Sequence, residues 1–334
     1  MTIKDLAAKT GYGVGTVSRA LNNLPNVSDR AREIILQAAE ESGFELNITA
    51  KHLKQTHSNS ILVIVKGIRN EFFADMLDAL QTFLRPTSYE LEVDYIDEDG
   101  NEVDRAVHLC RKKKPVGILF LGGNPGHFAE NFRNITVPCV LISNDASSLP
   151  FRNLSSICAD DFEIGRGAIH ALADLGHRRI AVIGGRQDFS ETSRLRYEGC
   201  KQAFAQRNIA FEEARDYRSV RFRPREGYEA VRSLLEGGAD FTALFVVSDT
   251  VAVGAIRALR EAGKRVPEDV SVLAVDGLPL GDFLVPQLAT IRQNGREMAL
   301  QGVRFLLEAI EEGKPALHRH FPFEIQLRES VRKI

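Results

Sequence analysis

The chain has 334 residues and a mass of 37.1 kDa, with 44% hydrophobic and 26% charged residues. That length allows about two globular domains and a small extra one, and the composition excludes a disordered, collagenous or disulfide-scaffold chain. Forty-three basic against 45 acidic residues leave a formal net charge of −2. This excludes coating of nucleic acid by bulk charge, but not a small reading module carried on a neutral body.

The four cysteines, Cys110, Cys139, Cys158 and Cys200, form no CxxC pair. Their spacing suggests neither a metal cluster nor a disulfide framework, and a reducing compartment fits best. No run approaches a membrane span, and the opening MTIKDLAAKT lacks the apolar core of a secretory leader, so a cytoplasmic protein is expected.

Residues 1–58 carry short helical patterns and turn residues. Thr2 stands three residues before Asp5, a capping-box variant for a first helix that carries Leu6 and Ala7. Gly11 follows as a turn, and a second helical stretch runs from about Val14 to Leu21 until Asn22, Asn23 and Pro25 break it. Ser28 suits the N-cap of a third helix, in which Ala31, Ile34, Ile35, Ala38 and Ala39 recur at helical spacing and which Gly43 ends. Three short helices with a glycine turn between the first two is the helix-turn-helix plan. Asn47–Lys54 can form one more short helix before the polar stretch 55–59. Alone in water it is marginal and needs a partner surface; an interdomain linker is the alternative.

From Ser60 onward strands alternate with amphipathic helices. The strands are Ile61–Val65, Leu91–Tyr95, Ile118–Leu121, Cys139–Ile142, Ile180–Ile183, Leu244–Val247 and Val270–Val275. Helical patterns include Phe72–Leu84, Arg166–Leu175, Arg194–Gln206, Tyr228–Leu235, Val251–Ala262 and Met298–Ile310. This alternation implies parallel sheets covered by helices, and the number of units implies two similar α/β lobes with a ligand site at the strand ends between them.

Chemistry-bearing motifs are few. Gly11-Tyr12-Gly13-Val14-Gly15 is GxGxG rather than GxGxxG and follows a helix; Gly122-Gly123-Asn124-Pro125-Gly126 also lacks the spacing. No GxSxG, HExxH or P-loop is present, so neither an enzyme nor a cofactor is expected. His170 and His177 read as surface or capping residues rather than metal ligands, and Arg111–Lys114 as a solvated helix end.

The stretch IKDLAAKTGYGVGTVSRALNNLPNVSDRAREIILQAAEESGF, followed by NITAKHLKQ, resembles the DNA-binding headpiece and hinge of the LacI/GalR repressor family. NEFFADMLDAL, ADLGHRRIAVIGG, SRLRYEG, SDTVAVGAIRALREAGKRVPEDVSVLAVDG and PQLATIRQ extend the resemblance along nearly the whole chain. It implies an all-α helix-turn-helix headpiece (1–46), a hinge and linker (47–59), and an α/β core (60–334) of two Rossmann-like, periplasmic-binding-protein-like lobes. The N-lobe would span about 60–160 and 291–320, the C-lobe about 161–290 and 321–334.

The resemblance also implies roles. The second helix enters the major groove, led by Val14, Gly15 and Arg19, while Thr16 and Ser18 supply hydroxyls to phosphates. Gly15 replaces a larger side chain, which shifts reading toward Val14 and a thymine methyl. Thr2, Asn22, Ala50 and Lys51 complete the DNA-binding set, and Leu53 matches the leucine wedged into the minor groove. Lys51 keeps the charge of the family's hinge arginine without its fork. For the cleft the resemblance points to Phe73, Asp160, Arg196, Phe222, Asp249 and Asp276. Asp249 is equally a helix cap and Phe73 equally core, and the register at Asp160 and Asp161 is open by one. Arg196 suits a bidentate grip on hydroxyls or a carboxylate.

The implied protein is a homodimeric transcription regulator that binds a pseudo-palindromic DNA operator under control of a small molecule, a sugar, sugar phosphate or similar. Arg221, Arg223 and Arg225 around Phe222 suggest a basic rim favouring an anionic effector, against a solvated loop. The rivals are a periplasmic-type solute-binding receptor and a nicotinamide oxidoreductase. Residues 1–58 hold seven basic and six acidic residues; Glu33, Glu40, Glu41 and Glu45 lie on or just after the third helix, away from the expected DNA face.

Overall fold

The computed structural model describes residues 2–21, 25–42, 59–68 and 70–334. The chain divides into two compact units, Met1–Ser58 and Asn59–Ile334.

The first unit contains α1 (Ile3–Thr10), α2 (Val14–Leu21) and α3 (Asp29–Glu41). The expected capping box forms. The Thr2 hydroxyl accepts from the Asp5 amide (3.3 Å), and the Thr2 amide donates to the Asp5 carboxylate (2.8 Å). Gly11 ends α1 with φ at 74°, a left-handed value that glycine adopts without strain. Ser28 caps α3. Leu6, Ala7, Val17, Ala20, Ile35 and Ala39 close one small core across all three helices, and Arg32 donates to the Ala20 carbonyl at 3.3 Å. The proposed helix at 47–54 lies outside the described residues, as does Gly43.

The second unit holds two sheets. The first is built from β1 (Ser60–Lys66), α4 (Glu71–Leu84), β2 (Glu90–Ile96), α5 (Glu102–Lys113), β3 (Gly117–Leu121), α6 (Pro125–Asn131), β4 (Cys139–Ile142) and β5 (Leu154–Ala159). Next come α7 (Asp161–Asp174), β6 (Ile180–Gly185), α8 (Glu191–Gln206), the short α9 (Glu213–Asp216), β7 (Tyr217–Val220), α10 (Pro224–Glu236), β8 (Ala243–Val246), α11 (Asp249–Glu261), β9 (Ser271–Asp276) and β10 (Ala289–Gln293). The chain then returns to the first lobe with α12 (Gly295–Glu312) and β11 (His318–Phe321), and ends in the second with β12 (Phe323–Gln326).

Strand order is β11-β5-β4-β3-β1-β2 in one sheet and β12-β10-β9-β8-β6-β7 in the other. The two orders are the same pattern, so each lobe repeats the other's plan. All pairings are parallel except β10 with β12, which are antiparallel. The central strands β1, β3 and β4 are apolar and buried on both faces, as helix-covered parallel strands must be.

Three crossings join the lobes, at 159–161, 293–295 and 321–323. The second differs from the expected boundary at 291, because Ile291–Gln293 still pair in the second sheet. His177 also departs from its expected surface role. It is buried, with Nδ1 2.9 Å from the Thr242 hydroxyl and Nε2 3.0 Å from that of Ser271, and burial lowers its pKa. Among the described residues no helix is long and apolar enough to cross a membrane.

Candidate functional site

In the first unit, α2 buries Val17 and Ala20 and turns Val14, Gly15 and Arg19 to solvent, with Thr16 and Ser18 half-buried. Val14 is 43% exposed. A Cβ on Gly15 would meet nothing within 4 Å, so packing does not require glycine there. Thr2 is exposed and engaged with Asp5. Asn22, Ala50, Lys51 and Leu53 lie outside the described residues.

In the second unit, the C-terminal strand ends of both sheets face one cavity of about 90 Å³. This is several times the volume that one water needs, roughly 10–15 Å³. The first lobe contributes Lys66, Asn70, Phe73, Glu98, Asp99, Ser143 and Asn144. The second contributes Arg186, Ser190, Thr192, Arg196, Phe222, Asp276 and Gln293. Four of the six expected effector residues, Phe73, Arg196, Phe222 and Asp276, therefore line it together. Phe73 is also core: its ring packs so closely on Gly122 that a Cβ there would sit 2.9 Å from Cζ.

Arg196 is 4% exposed. Its Nε donates to Asp161 Oδ1 at 2.8 Å and its Nη1 to the Val247 carbonyl at 2.9 Å. A guanidinium has five N–H donors, and no described protein group takes those of Nη2. Asp276 is 8% exposed and accepts from Gln293 Nε2 at 2.9 Å. Burial pushes its carboxyl well above the usual carboxylate range, opposed by the charge of Arg196. Its φ is 118°, a backbone conformation that costs an L-residue about 1–3 kcal/mol and persists only where surroundings impose it.

Ser143, directly after β4, has φ at 82°. β4 and β9 hold the same place in their sheets, so both lobes put a strained polar residue at one position of the cavity. Asn144 next to it is buried, accepts from the Gly123 amide and donates to the Thr192 hydroxyl of the other lobe, both at 3.0 Å. At the mouth, Asp99 of the first lobe meets Arg186 (3.1 Å) and Arg221 of the second, and Asp97 meets Arg221 at 3.3 Å. On the first lobe's wall, Lys66 pairs with the fully buried Glu102 at 2.7 Å.

Three expectations are corrected. Asp160 does not line the cavity: it caps α7, accepting from the Glu163 amide at 3.0 Å, and its neighbour Asp161 holds Arg196. Asp249 lies beneath the site. It accepts from the Leu278 amide and the Thr290 hydroxyl, both at 2.7 Å, and so fixes the turn after Asp276; Ser248 is the cap of α11. The arginine rim carries little free charge. Arg221 is paired across the mouth and Arg225 with Glu229 at 2.8 Å, leaving exposed Arg223.

Sequence reasoning missed Ser143, Asn144, Thr192 and Gln293. For Ser143, Asn144 and Gln293 a polar residue at the end of an apolar strand was the available signal, but it occurs at many strands; Thr192, in the first turn of α8, offered none.

A helix-turn-helix unit ahead of a two-lobed core with an interlobe cavity lined by charged, polar and aromatic residues defines the class: a DNA-binding regulator built on a ligand-binding fold. Residues 2–47 match the model of bacterial regulatory proteins of the lacI family, and residues 169–331 that of a periplasmic binding protein-like domain. The HTH-type transcriptional regulator MalR of Clostridium butyricum is 31% identical over 333 residues, 99% of either chain. The chain belongs to the lacI family and is a DNA-binding transcriptional regulator. Among solved structures, a transcriptional regulator CelR–cellobiose complex is 26% identical with a TM-score of 0.71. A lac repressor dimer bound to operator and the anti-inducer ONPF is 24% identical with a TM-score of 0.80, a likeness of fold; each covers 99% of both chains.

Proposed function

We propose that this chain is a cytoplasmic, non-enzymatic repressor. As a homodimer it binds a pseudo-palindromic operator, and a neutral polyhydroxylated ligand of the sugar class controls it from the interlobe cleft. The exposed face of α2, with Val14, Gly15, Thr16, Ser18 and Arg19, reads the major groove, assisted by Thr2 and Asn22. Ala50, Lys51 and Leu53 of the 47–59 hinge contact the minor groove. The complex of the similar regulator CelR with cellobiose supports the ligand class.

The observation that carries the reading is the charge of the cleft. Each of the three cations lining it already has a carboxylate partner: Lys66 pairs with Glu102, Arg186 with Asp99 and Arg196 with Asp161. An added anion would find no uncompensated positive charge and would push the buried Asp276 further up. A hydroxyl donating to Asp276 while accepting from Arg196 Nη2 supplies what both groups lack. Phe73 and Phe222 offer apolar surface to a sugar's C–H face. Such a ligand bridges residues of both lobes, so it biases their closure, and its coupling to DNA binding is reciprocal.

A thermal-shift panel of neutral sugars, sugar phosphates and nucleobases tests this, followed by a gel shift on palindromes upstream of the gene with and without the best ligand. The expected result is stabilisation by a neutral sugar and a ligand-sensitive specific shift. Stabilisation by phosphorylated sugars alone overturns the ligand class, and absence of any competitor-resistant shift overturns the operator.

A further inference from the structure

Away from the cleft, the edge of the first sheet gathers a second polar cluster. β11 lies beside β5 in parallel, with His318 opposite Ser156 and His320 opposite Cys158. Residues at i and i+2 of a strand share a face, so both histidines project on the side of Ser156 and Cys158. Asp145, from the loop after β4, reaches the same place. The ligand atoms of Asp145, Cys158 and His320 all lie within 4.8 Å of one another, with His320 Nε2 3.8 Å from Asp145 Oδ2.

We propose that Asp145, Cys158 and His320 form a binding site for a borderline-soft divalent cation of the Zn²⁺ class, which ties together two of the three crossings between the lobes. One thiolate, one imidazole and one carboxylate is a three-ligand set that suits tetrahedral Zn²⁺ or Co²⁺ with a water in the fourth position, and suits Mg²⁺ or Ca²⁺ poorly. Around such an ion the donor atoms stand about 3.3–3.8 Å apart, from metal–ligand lengths of about 2.0–2.3 Å. The present spread therefore has to contract by about 1 Å. The groups that move are the exposed His320 and the loop-borne Asp145, whose side chains are 55% and 37% exposed, while Cys158 stays on its buried strand.

The surroundings orient the carboxylate as outer partners of a metal site do. Ser147 donates to Asp145 from its amide (2.9 Å) and its hydroxyl (2.6 Å). The Ser156 hydroxyl donates to Asp145 Oδ1 at 3.2 Å and is itself 2.8 Å from His318 Nδ1. On binding, the Cys158 thiol passes its proton to solvent and the thiolate takes the cation.

Position gives the site a consequence. Cys158 stands next to the last residue of β5, where the chain leaves for α7; His320 stands next to the last residue of β11, where it leaves for β12. A cation bridging them joins the strand ends whose backbone must bend when the lobes open or close. The sequence spacing hides this set, because strand pairing alone brings its members together.

The test uses the full chain with Co²⁺ and Zn²⁺ alone. Titration with Co²⁺ should give a thiolate-to-cobalt absorption band and tetrahedral visible bands. Cys158→Ser should abolish the first, and His320→Gln, at an exposed position, should weaken Zn²⁺ binding at least tenfold with the fold intact. Zn²⁺ should slow amide exchange at 158–161, 319–321 and 323 in the parent and not in His320→Gln. A parent without the charge-transfer band, or a band that survives Cys158→Ser, overturns the site. Unchanged exchange on Zn²⁺ binding overturns the clamp.

Discussion

Arg196 has two roles that a single substitution confounds, and the geometry shows how to part them. Arg196→Ala removes the donors offered to the ligand, but it also strands Asp161, which is 6% exposed and loses its 2.8 Å partner. Breaking a buried ion pair from one side costs about 3–5 kcal/mol, because the remaining charge sits uncompensated. Burial already holds the Asp161 carboxyl above its usual range, so protonation absorbs part of that cost. Adding Asp161→Asn removes the stranded charge altogether.

The double variant should therefore be more stable than the sum of the single losses implies, with a coupling of at least about 1 kcal/mol. Urea unfolding of the parent, both single variants and the pair reads this directly. Strict additivity would refute the buried-pair argument. The ligand role is read separately, from the thermal shift caused by the best sugar of the panel. Both Arg196→Ala and the restabilised pair should lose that shift while retaining the gel shift on operator. If the pair unfolds like the parent and still responds to sugar, Arg196 acts only as structural support for Asp161 and Val247.

Asp249→Asn tests the support beneath the cleft. Burial raises the Asp249 pKa to about 6, so the folded state binds its proton more tightly than the unfolded chain does, and the parent loses stability as pH rises from about 4 to about 6. The variant should gain on the parent across that window by at most about 3 kcal/mol, measured by urea unfolding at several pH values; a pH-independent difference would count against it. Gly15→Ala should stabilise the headpiece by up to about 1 kcal/mol in hydrogen exchange while changing base preference at one operator position, because its Cβ meets open space. Gly165→Ala should destabilise the core by more than about 3 kcal/mol, since the new Cβ would stand 1.9 Å from the Arg196 carbonyl; an unchanged urea midpoint would refute the close crossing of α7 and α8. Leu53→Ala should weaken operator binding in the gel shift and leave the sugar-induced thermal shift as in the parent.

The two lobes show which parts of the molecule a sequence discloses. Central strands such as Ile61–Val65 and Ile118–Leu121 are covered on both faces, so they must be apolar throughout and can be read directly. β5 escapes that reading because Ser155 and Ser156 interrupt its apolar run. Their hydroxyls are spent on the Leu317 and Ala146 amides, partners distant in sequence. β11 and β12 are short, with polar and charged residues, and exist only because the chain crosses back to each sheet.

The same distinction divides the cleft. Arg196 is legible only through the family resemblance that SRLRYEG carries, whereas Asp276 is also marked as an acid that ends an apolar strand. Ser143 is not legible, since nothing in the letter S announces a φ of 82°. What exposes it is the repeat of plan: β4 and β9 occupy equivalent places, and a strained polar residue that lines the cavity stands at the C-terminal end of β9 and directly after β4. Strain at one such position could be an accident of a turn. Strain at both equivalent positions means that each lobe holds a polar group rigidly toward a shared space, so a ligand there meets groups already aimed and loses little entropy in ordering them. On the proposed function, binding energy then goes into the relative placement of the lobes.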